Sequence, residues 1–298
     1  MKYREMAGEK ISVLGFGCMR FPTTSKNAED IDAEKSAKML EYAIENGVNY
    51  FDTAYVYHGG KGESFIGGVL KPYHDKIHIA TKCPTWEVKC EEDFDRLLNE
   101  QLERLQTDYI DFYLMHALDK DRFKNVVEKF NLIDKLNKAK ADGKIRHIGF
   151  SFHDDAAMLD QILTEHPEVD FVQLQINYLD WENKIIQSRA CYEVAGKHNK
   201  PIAVMEPVKG GTLADLPDEA LSILKEYNED ASTASYALRF AAQLPGVFMV
   251  LSGMSNLSQV QDNIRIMDNP QPLNDKEKEL LGRVVDIINN RISIQCTS

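Results

Sequence analysis

No stretch of this sequence approaches the roughly 20 consecutive apolar residues that a membrane-spanning helix requires, so no membrane partner is expected. The opening Met1-Lys2-Tyr3-Arg4-Glu5-Met6 leads into no apolar segment of the kind a secretory signal carries, and none is inferred. Cysteine is sparse and scattered. Cys18, Cys83, Cys90, Cys191 and Cys296 are odd in number and make a poor disulfide framework, which fits a reducing cytosol. A cytoplasmic location without a bound metal is the resulting expectation. Positive charge is also short: the formal net charge of -12 argues against nucleic acid as a partner, because a phosphate backbone is met by clustered Lys and Arg. A Gly-x-Gly-x-x-Gly turn opening a helix is missing too. Leu14-Gly15-Phe16-Gly17-Cys18 lacks both the third glycine and the helix, so a dinucleotide-binding Rossmann unit is rejected. Domain linkers, low-complexity tracts and short repeats are not found.

What is present is 298 residues, 43% of them hydrophobic, enough to build one large core. Short runs rich in β-branched and aromatic residues alternate with amphipathic stretches. The strand-like runs are Val13 to Gly17, Tyr50 to Thr53, His78 to Lys82, Tyr109 to His116, His147 to Ser151, Val169 to Gln173, Ile202 to Glu206 and Phe248 to Ser252. Helices are expected over Ala33 to Asn46, Ser64 to Leu70, Glu92 to Leu105, Arg122 to Ala141, Asp154 to His166, Asn183 to His198, Thr233 to Gln243, Ser258 to Met267 and Asp275 to Asn290. Asn46-Gly47 and Asp142-Gly143 are helix stops, since glycine takes the left-handed C′ conformation at little cost. Ile110, Phe112, Tyr113, Leu114 and Met115 read as a strand covered on both faces, as in a parallel sheet. Eight such units without a compositional break predict an α/β fold, a single-domain (β/α)8 TIM barrel over 1–298, ending in a C-terminal helix and tail from about residue 275. An open doubly wound sheet is the alternative.

A closed barrel carries its reactive groups at the C-terminal ends of its strands. Those positions hold Asp52 after the second strand, Tyr57 in the following loop, Lys82 ending the third strand and His116 the fourth. Any one of them reads as an ordinary structural residue. An acid, a phenol, an amine and an imidazole converging on one mouth point instead to chemistry.

Phe51-Asp52-Thr53-Ala54-Tyr55-Val56-Tyr57, Gly62-Glu63-Ser64, Ala80-Thr81-Lys82 and Tyr113-Leu114-Met115-His116 resemble the aldo-keto reductases. So do Ile148-Gly149-Phe150-Ser151 and Gln173-Leu174-Gln175-Ile176-Asn177-Tyr178, and the resemblance runs from Leu14-Gly15-Phe16-Gly17 to Asp262-Asn263-Ile264. It implies an NADPH- or NADH-dependent oxidoreductase that reduces a small-molecule aldehyde or ketone, with Asp52, Tyr57, Lys82 and His116 as a catalytic tetrad. The chemistry is consistent. A free phenol, with a pKa near ~10, is a weak proton donor near neutrality, and an adjacent cation lowers that value, which makes Lys82 the expected tuner of Tyr57. Asp52 would hold Lys82 and compensate its buried charge. His116 would orient the carbonyl oxygen or relay the proton; the residues alone do not separate the two.

Barrels bind phosphate with the loops after strands seven and eight and a nearby helix N-terminus. Here those loops are Glu206-Pro207-Val208-Lys209-Gly210-Gly211-Thr212-Leu213 and Ser252-Gly253-Met254-Ser255-Asn256, with Ser255 or Asn256 as the cap of the helix near Ser258. By resemblance, Ser151 and Gln173 would hold the nicotinamide carboxamide, and Gly17, Cys18, Met19 and Asn263 would also lie at the cofactor. Phe152 stands where relatives often carry asparagine, and Asn177 matches the pattern as a cofactor or structural residue. NADP-preferring relatives place Arg or Lys in and just after the last loop; Gly253 and Gln259 occupy those positions, so NADH, or use of both cofactors, is expected. Phe21, Trp86, Phe152 and Trp181 are candidates for the substrate-pocket wall or for packing.

Ser151-Phe152-His153-Asp154, Met205-Glu206-Pro207 and Leu251-Ser252-Gly253-Met254-Ser255 resemble a subset of the family with an appended ferredoxin-like [4Fe–4S] module. Cys296 falls where the first cysteine of that module would lie. It is either the remnant of a shortened module or an unremarkable tail cysteine, and no iron–sulfur cluster is expected in this chain. Two other activities compete: a Schiff-base lyase using Lys82, and a nicotinamide-binding, redox-sensing regulatory subunit with little turnover.

Overall fold

The computed structural model describes residues 1–295. An N-terminal antiparallel hairpin, β1 (Tyr3–Met6) and β2 (Glu9–Ser12), precedes eight parallel strands closed into a barrel. The barrel strands are β3 (Leu14–Gly17), β4 (Tyr50–Asp52), β5 (His78–Cys83), β6 (Ile110–Leu118), β7 (Ile145–Phe152), β8 (Phe171–Gln175), β9 (Ile202–Met205) and β10 (Val247–Gly253). They pair in chain order, and β10 returns to β3 through Gly253 opposite Gly17. The fold is a single-domain (β/α)8 barrel, and the open sheet falls away.

Around it lie α1 (Ala33–Glu45), α2 (Gly62–Leu70), α3 (Asp93–Leu105), α4 (Lys120–Arg122), α5 (Leu132–Ala141), α6 (Ala156–Glu165), α7 (Ser188–Lys197), α8 (Asp218–Tyr227), α9 (Thr233–Ala242), α10 (Leu257–Asp268) and α11 (Asp275–Gln295). Both anticipated glycine stops form, with φ of +88° at Gly47 and +80° at Gly143. Two expected helices are shorter than their periodicity suggested. Arg122 to Ala141 breaks where Asn131 turns left-handed at φ +51°, after a π-helical turn over Phe123–Glu128. Asn183 to His198 starts only at Ser188, because the Asn183 carboxamide accepts from the N–H groups of Ile185 and Ile186 and holds a turn. Two elements escaped the sequence pattern: α8, and the hairpin turning on Ala7 and Gly8.

Side chains alternate between the barrel lumen and the helix layer. The lumen holds Tyr50, Ala80, Phe112, Leu114, Phe171, Ala203, Phe248, Met249 and Leu251, floored by Met6 and Ile11 of the hairpin. Packing therefore seals the bottom and leaves the strand C-termini for chemistry. Among the described residues, no helix is long and apolar enough to cross a membrane, and no cluster of His, Cys, Asp or Glu is placed to hold a metal ion. Cys296 lies outside the described residues.

Near the floor, Asp111 has only 1% of its side chain exposed. It accepts from His74 Nε2 and Ile79 N at 2.9 Å and from Arg146 Nη1 at 3.0 Å. Burial pushes its carboxyl upward, but hydrogen bonding by His74, His78 and the Ile79 N–H outweighs that and holds it well below the usual carboxylate range. A depressed folded pKa stabilises the fold fully above the unfolded value near ~4, and this contribution is lost as pH falls through the folded value. Asp111→Asn is expected to cost about 1.5–3 kcal/mol at pH 7, with the gap to wild type narrowing progressively as pH falls below about 4. Urea unfolding from pH 2 to 7 measures it; a gap independent of pH would contradict this linkage.

Candidate active site

The tetrad gathers because three adjacent strands end together. Asp52 is the last residue of β4, Lys82 the penultimate residue of β5, and His116 lies near the end of β6. Lys82 is 1% exposed and donates from Nζ to Asp52 Oδ1 at 2.6 Å and to the Thr53 carbonyl at 2.7 Å. The same ammonium sits 5.1 Å from the centroid of the Tyr57 ring. Tyr57 leads into the turn before α2, and its own loop backbone is packed tightly there. A methyl group added at Gly62 would lie 3.0 Å from the Tyr57 carbonyl and 3.3 Å from its Cβ. The Tyr57 and His116 rings meet edge-on at 6.2 Å, and Trp86 approaches His116 at 5.1 Å.

A polar network behind the strands holds Lys82 from its backbone side. Gln101 of α3 donates to the Lys82 carbonyl at 3.0 Å and to Glu63 Oε1 at 2.5 Å, and accepts from the Tyr113 hydroxyl at 2.7 Å. Glu63 also accepts from Thr81 Oγ1 at 2.6 Å and Arg104 Nη1 at 3.2 Å. In the sequence Glu63 stands only inside the Gly62-Glu63-Ser64 motif, and no spacing there marks this network. Its members lie on four successive elements, α2, β5, α3 and β6, and only their packing brings the side chains together.

The electrostatics differ in one respect from the sequence expectation. Burial is the largest influence on Tyr57 and lifts its pKa above the ordinary phenol value; the charge of Lys82 pulls it down, and Asp52 pushes it further up. Tyr57 is therefore a neutral phenol at pH 7, with its proton in place. Burial opposes the charge on Lys82, but Asp52 and Tyr57 more than offset it, so Lys82 stays an ammonium ion. Burial likewise pushes Asp52 up, against the pull of Lys82. His116 is driven down to about 2, by burial first and then by the charges of Lys82, His153 and Arg122. It is a neutral imidazole at any working pH, and its Nδ1 is buried without a partner.

On the other side of the mouth, Ser151 on β7 stands in register with Gln173 on β8. Ser151 Oγ accepts from Ala117 N at 2.7 Å, leaving its hydroxyl proton to donate, while Gln173 Oε1 is buried and unpartnered. Asn177 is used up structurally: it bonds the Asp180 carboxylate, the Glu206 carbonyl and the N–H groups of Leu179 and Asp180. Lys209 is committed as well, donating to Asp180 at 2.5 Å. Glu206 and Lys209 adopt positive φ, +55° and +49°, which shapes the loop they share with Pro207, Gly210 and Gly211. Leu213 and Met254 are buried in the apolar core, and Asn263 donates to Ser252 Oγ at 2.8 Å, tying α10 to the end of β10. Asn256 caps α10 by accepting from Gln259 N at 2.9 Å, and Gln259 accepts from Ser255 N. Gly17, Cys18 and Met19 lead out of β3 beside Ser252 and Gly253.

Three of the four pocket-wall candidates are packing residues. Phe152 alternates outward from Ser151 and packs on Phe150; Trp181 packs between Tyr192 of α7 and Phe240 of α9. Phe21 is buried among Phe16, His58 and Phe65. Trp86 alone lies at the tetrad.

A closed barrel with an Asp–Lys pair beside a phenol and a neutral imidazole at its mouth defines a class of protein that can present a proton to a developing oxyanion. The aldo/keto reductase family model matches residues 13–285, and the chain belongs to that family. It is 25% identical over 303 residues to an uncharacterised oxidoreductase, YqkF, of Bacillus subtilis, spanning 91% of this chain and 92% of the relative. The holo form of an aldo-keto reductase from Bacillus halodurans superposes with a TM-score of 0.77 at 25% identity, covering 95% of this chain and 96% of that one. An aldo/keto reductase from Klebsiella pneumoniae, solved in complex with NADP and acetate, shares the fold with a TM-score of 0.75 at 22% identity, each chain covered to 93%.

Proposed function

We propose that this protein reduces an aldehyde or ketone to the alcohol with NADH or NADPH, Tyr57 giving the proton. The observation that carries the reading is the Tyr57–Lys82–Asp52 arrangement: a protonated phenol beside a cation that is itself held by a buried carboxylate. A nicotinamide cofactor, when bound, supplies the hydride to the carbonyl carbon. As charge grows on the carbonyl oxygen, Tyr57 releases its proton, and the Lys82 ammonium stabilises the phenolate left behind. Neutral His116 donates a hydrogen bond that orients the oxygen; with a pKa of about 2 it does not serve as an imidazolium acid. Trp86 flanks the same space and excludes water from one side.

The pair opposite fits a nicotinamide carboxamide. Its carbonyl needs a donor and its amide N–H an acceptor, which the Ser151 hydroxyl and the orphaned Gln173 Oε1 provide. The backbone of Gly210, Gly211, Ser252 and Gly253 and the N-terminus of α10 suit phosphate. Gly253 and Gln259 bring no cation to a 2′-phosphate, which favours NADH or use of both nucleotides. The raised pKa of Lys82 weighs against Schiff-base chemistry, which needs a neutral amine.

Oxidation of NADH and NADPH, followed across a panel of aldehydes, ketones and sugars, tests the proposal. Turnover of at least one carbonyl class is expected, with kcat/KM for NADPH no more than about tenfold above that for NADH, since no strong charge-assisted pair is lost with NADH. Tight nucleotide binding without turnover on any carbonyl would overturn the reductase reading and favour a redox-sensing subunit. A large NADPH preference would overturn the cofactor assignment alone.

A further inference from the structure

We propose that Arg20, reaching across Gly253 from the other side of the barrel seam, is the cation that binds the diphosphate of the dinucleotide. The inference rests on the reading that a nicotinamide dinucleotide occupies this mouth. Gly17 and Gly253 are register partners where β3 closes on β10, and a methyl group at Gly17 would come within 3.2 Å of the Ser252 carbonyl. The single 3₁₀ turn Cys18–Arg20 leaves β3 directly above that seam. The Arg20 stem then lies on Gly253: a methyl group there would stand 2.9 Å from Arg20 Cγ and 3.5 Å from its Cβ. Its head extends to the opposite loop, where a methyl group at Gly210 would lie 4.0 Å from Nη2. Arg20 thus spans the two loops that the barrel architecture assigns to phosphate.

The guanidinium is exposed, and no hydrogen bond or ion pair engages it among the described residues. Glu206 Oε2 comes within 3.8 Å of the same Gly210 position without pairing with it. Lys209, the other cation of these loops, is already bound to Asp180. A planar fork of N–H donors held free between two glycine-lined loops matches paired phosphate oxygens. The Arg20 stem occupies the space that the glycine at 253 leaves open, and this is what lets its head reach the Gly210 loop.

Fluorescence titrations of wild type, Arg20→Ala and Arg20→Lys with NADH and NADPH, and displacement by ADP-ribose, test this. Arg20→Ala is expected to weaken all three by one common factor of about 10- to 100-fold, with partial recovery in Arg20→Lys. Gly253→Ala, whose methyl pushes on the arginine stem, is expected to weaken binding in wild type and to add nothing in the Arg20→Ala background. A loss confined to NADPH would make Arg20 a reader of the 2′-phosphate and overturn the diphosphate assignment. Unchanged binding of all three, or a loss with NADH that ADP-ribose does not share, would overturn it as well. Thermal melts coincident with wild type separate lost contact from lost fold. Wild type binding neither nucleotide would instead sink the cofactor reading on which the inference depends.

Discussion

Tyr57→Phe is expected to lower kcat for carbonyl reduction by about 10²- to 10⁴-fold, the range a positioned general acid supplies, while NADH and NADPH binding stays within about twofold. The ring remains to meet His116 edge-on; only the donor is lost. No neighbouring group can replace it. His116 is neutral with no acidic proton near pH 7, and Lys82 is held by Asp52 and the Thr53 carbonyl. Because Tyr57 must hold its proton to act, reduction is lost as pH rises through its folded pKa, which lies above the ordinary value near ~10. Single-turnover rates across pH on a good carbonyl substrate give both quantities. Near wild-type kcat in the mutant would sink the assignment of Tyr57 as donor.

Lys82→Met separates catalysis from stability. It leaves Asp52, 1% exposed, without its cation, and the Asp52 Oδ2 atom already lacks a partner. Breaking one side of a buried pair costs about 3–5 kcal/mol, and the Thr53 carbonyl loses its donor too. The melting temperature should fall by on the order of 10 °C in a chain of this size. Adding Asp52→Leu removes the uncompensated charge, and most of that loss is expected to return, since apolar replacements of a buried pair are often neutral or better. Activity is not expected to return with it, because no cation remains to stabilise the Tyr57 phenolate. A double variant that regains stability and turnover together would show Lys82 to be structural only. A single variant as stable as wild type would show that the pair carries no folding energy.

The strand ends were legible in the chain because a parallel barrel buries both faces of its strands. Runs such as Ile110 to Met115 are then nearly continuous apolar segments, and the first polar residue after them marks the mouth. Asp52, Lys82 and His116 follow from that rule, and Tyr57 from the loop beside them. The wall of the pocket was not legible in the same way. Ser151 and Phe152 are adjacent in sequence yet face opposite sides of β7, and an aromatic residue reads alike whether it lines the mouth or packs against α7 and α9, as Trp181 does. The helix boundaries at Asn131 and Asn183 were missed because a single side chain or left-handed residue ended a pattern whose periodicity continued.

From its own order of residues this chain determined a closed eight-stranded barrel, the edge of it on which chemistry can occur, and four reactive groups at that edge. Only the tertiary structure decided the balance of forces on those groups. Whether Tyr57 is lifted by burial or lowered by Lys82 depends on depth and distance together, and burial prevails. The same holds for Arg20, Gly210 and Gly253. Arg20 is separated from the two glycines by most of the chain and meets them only because β10 closes on β3, and no periodicity in a sequence records which ends a barrel joins.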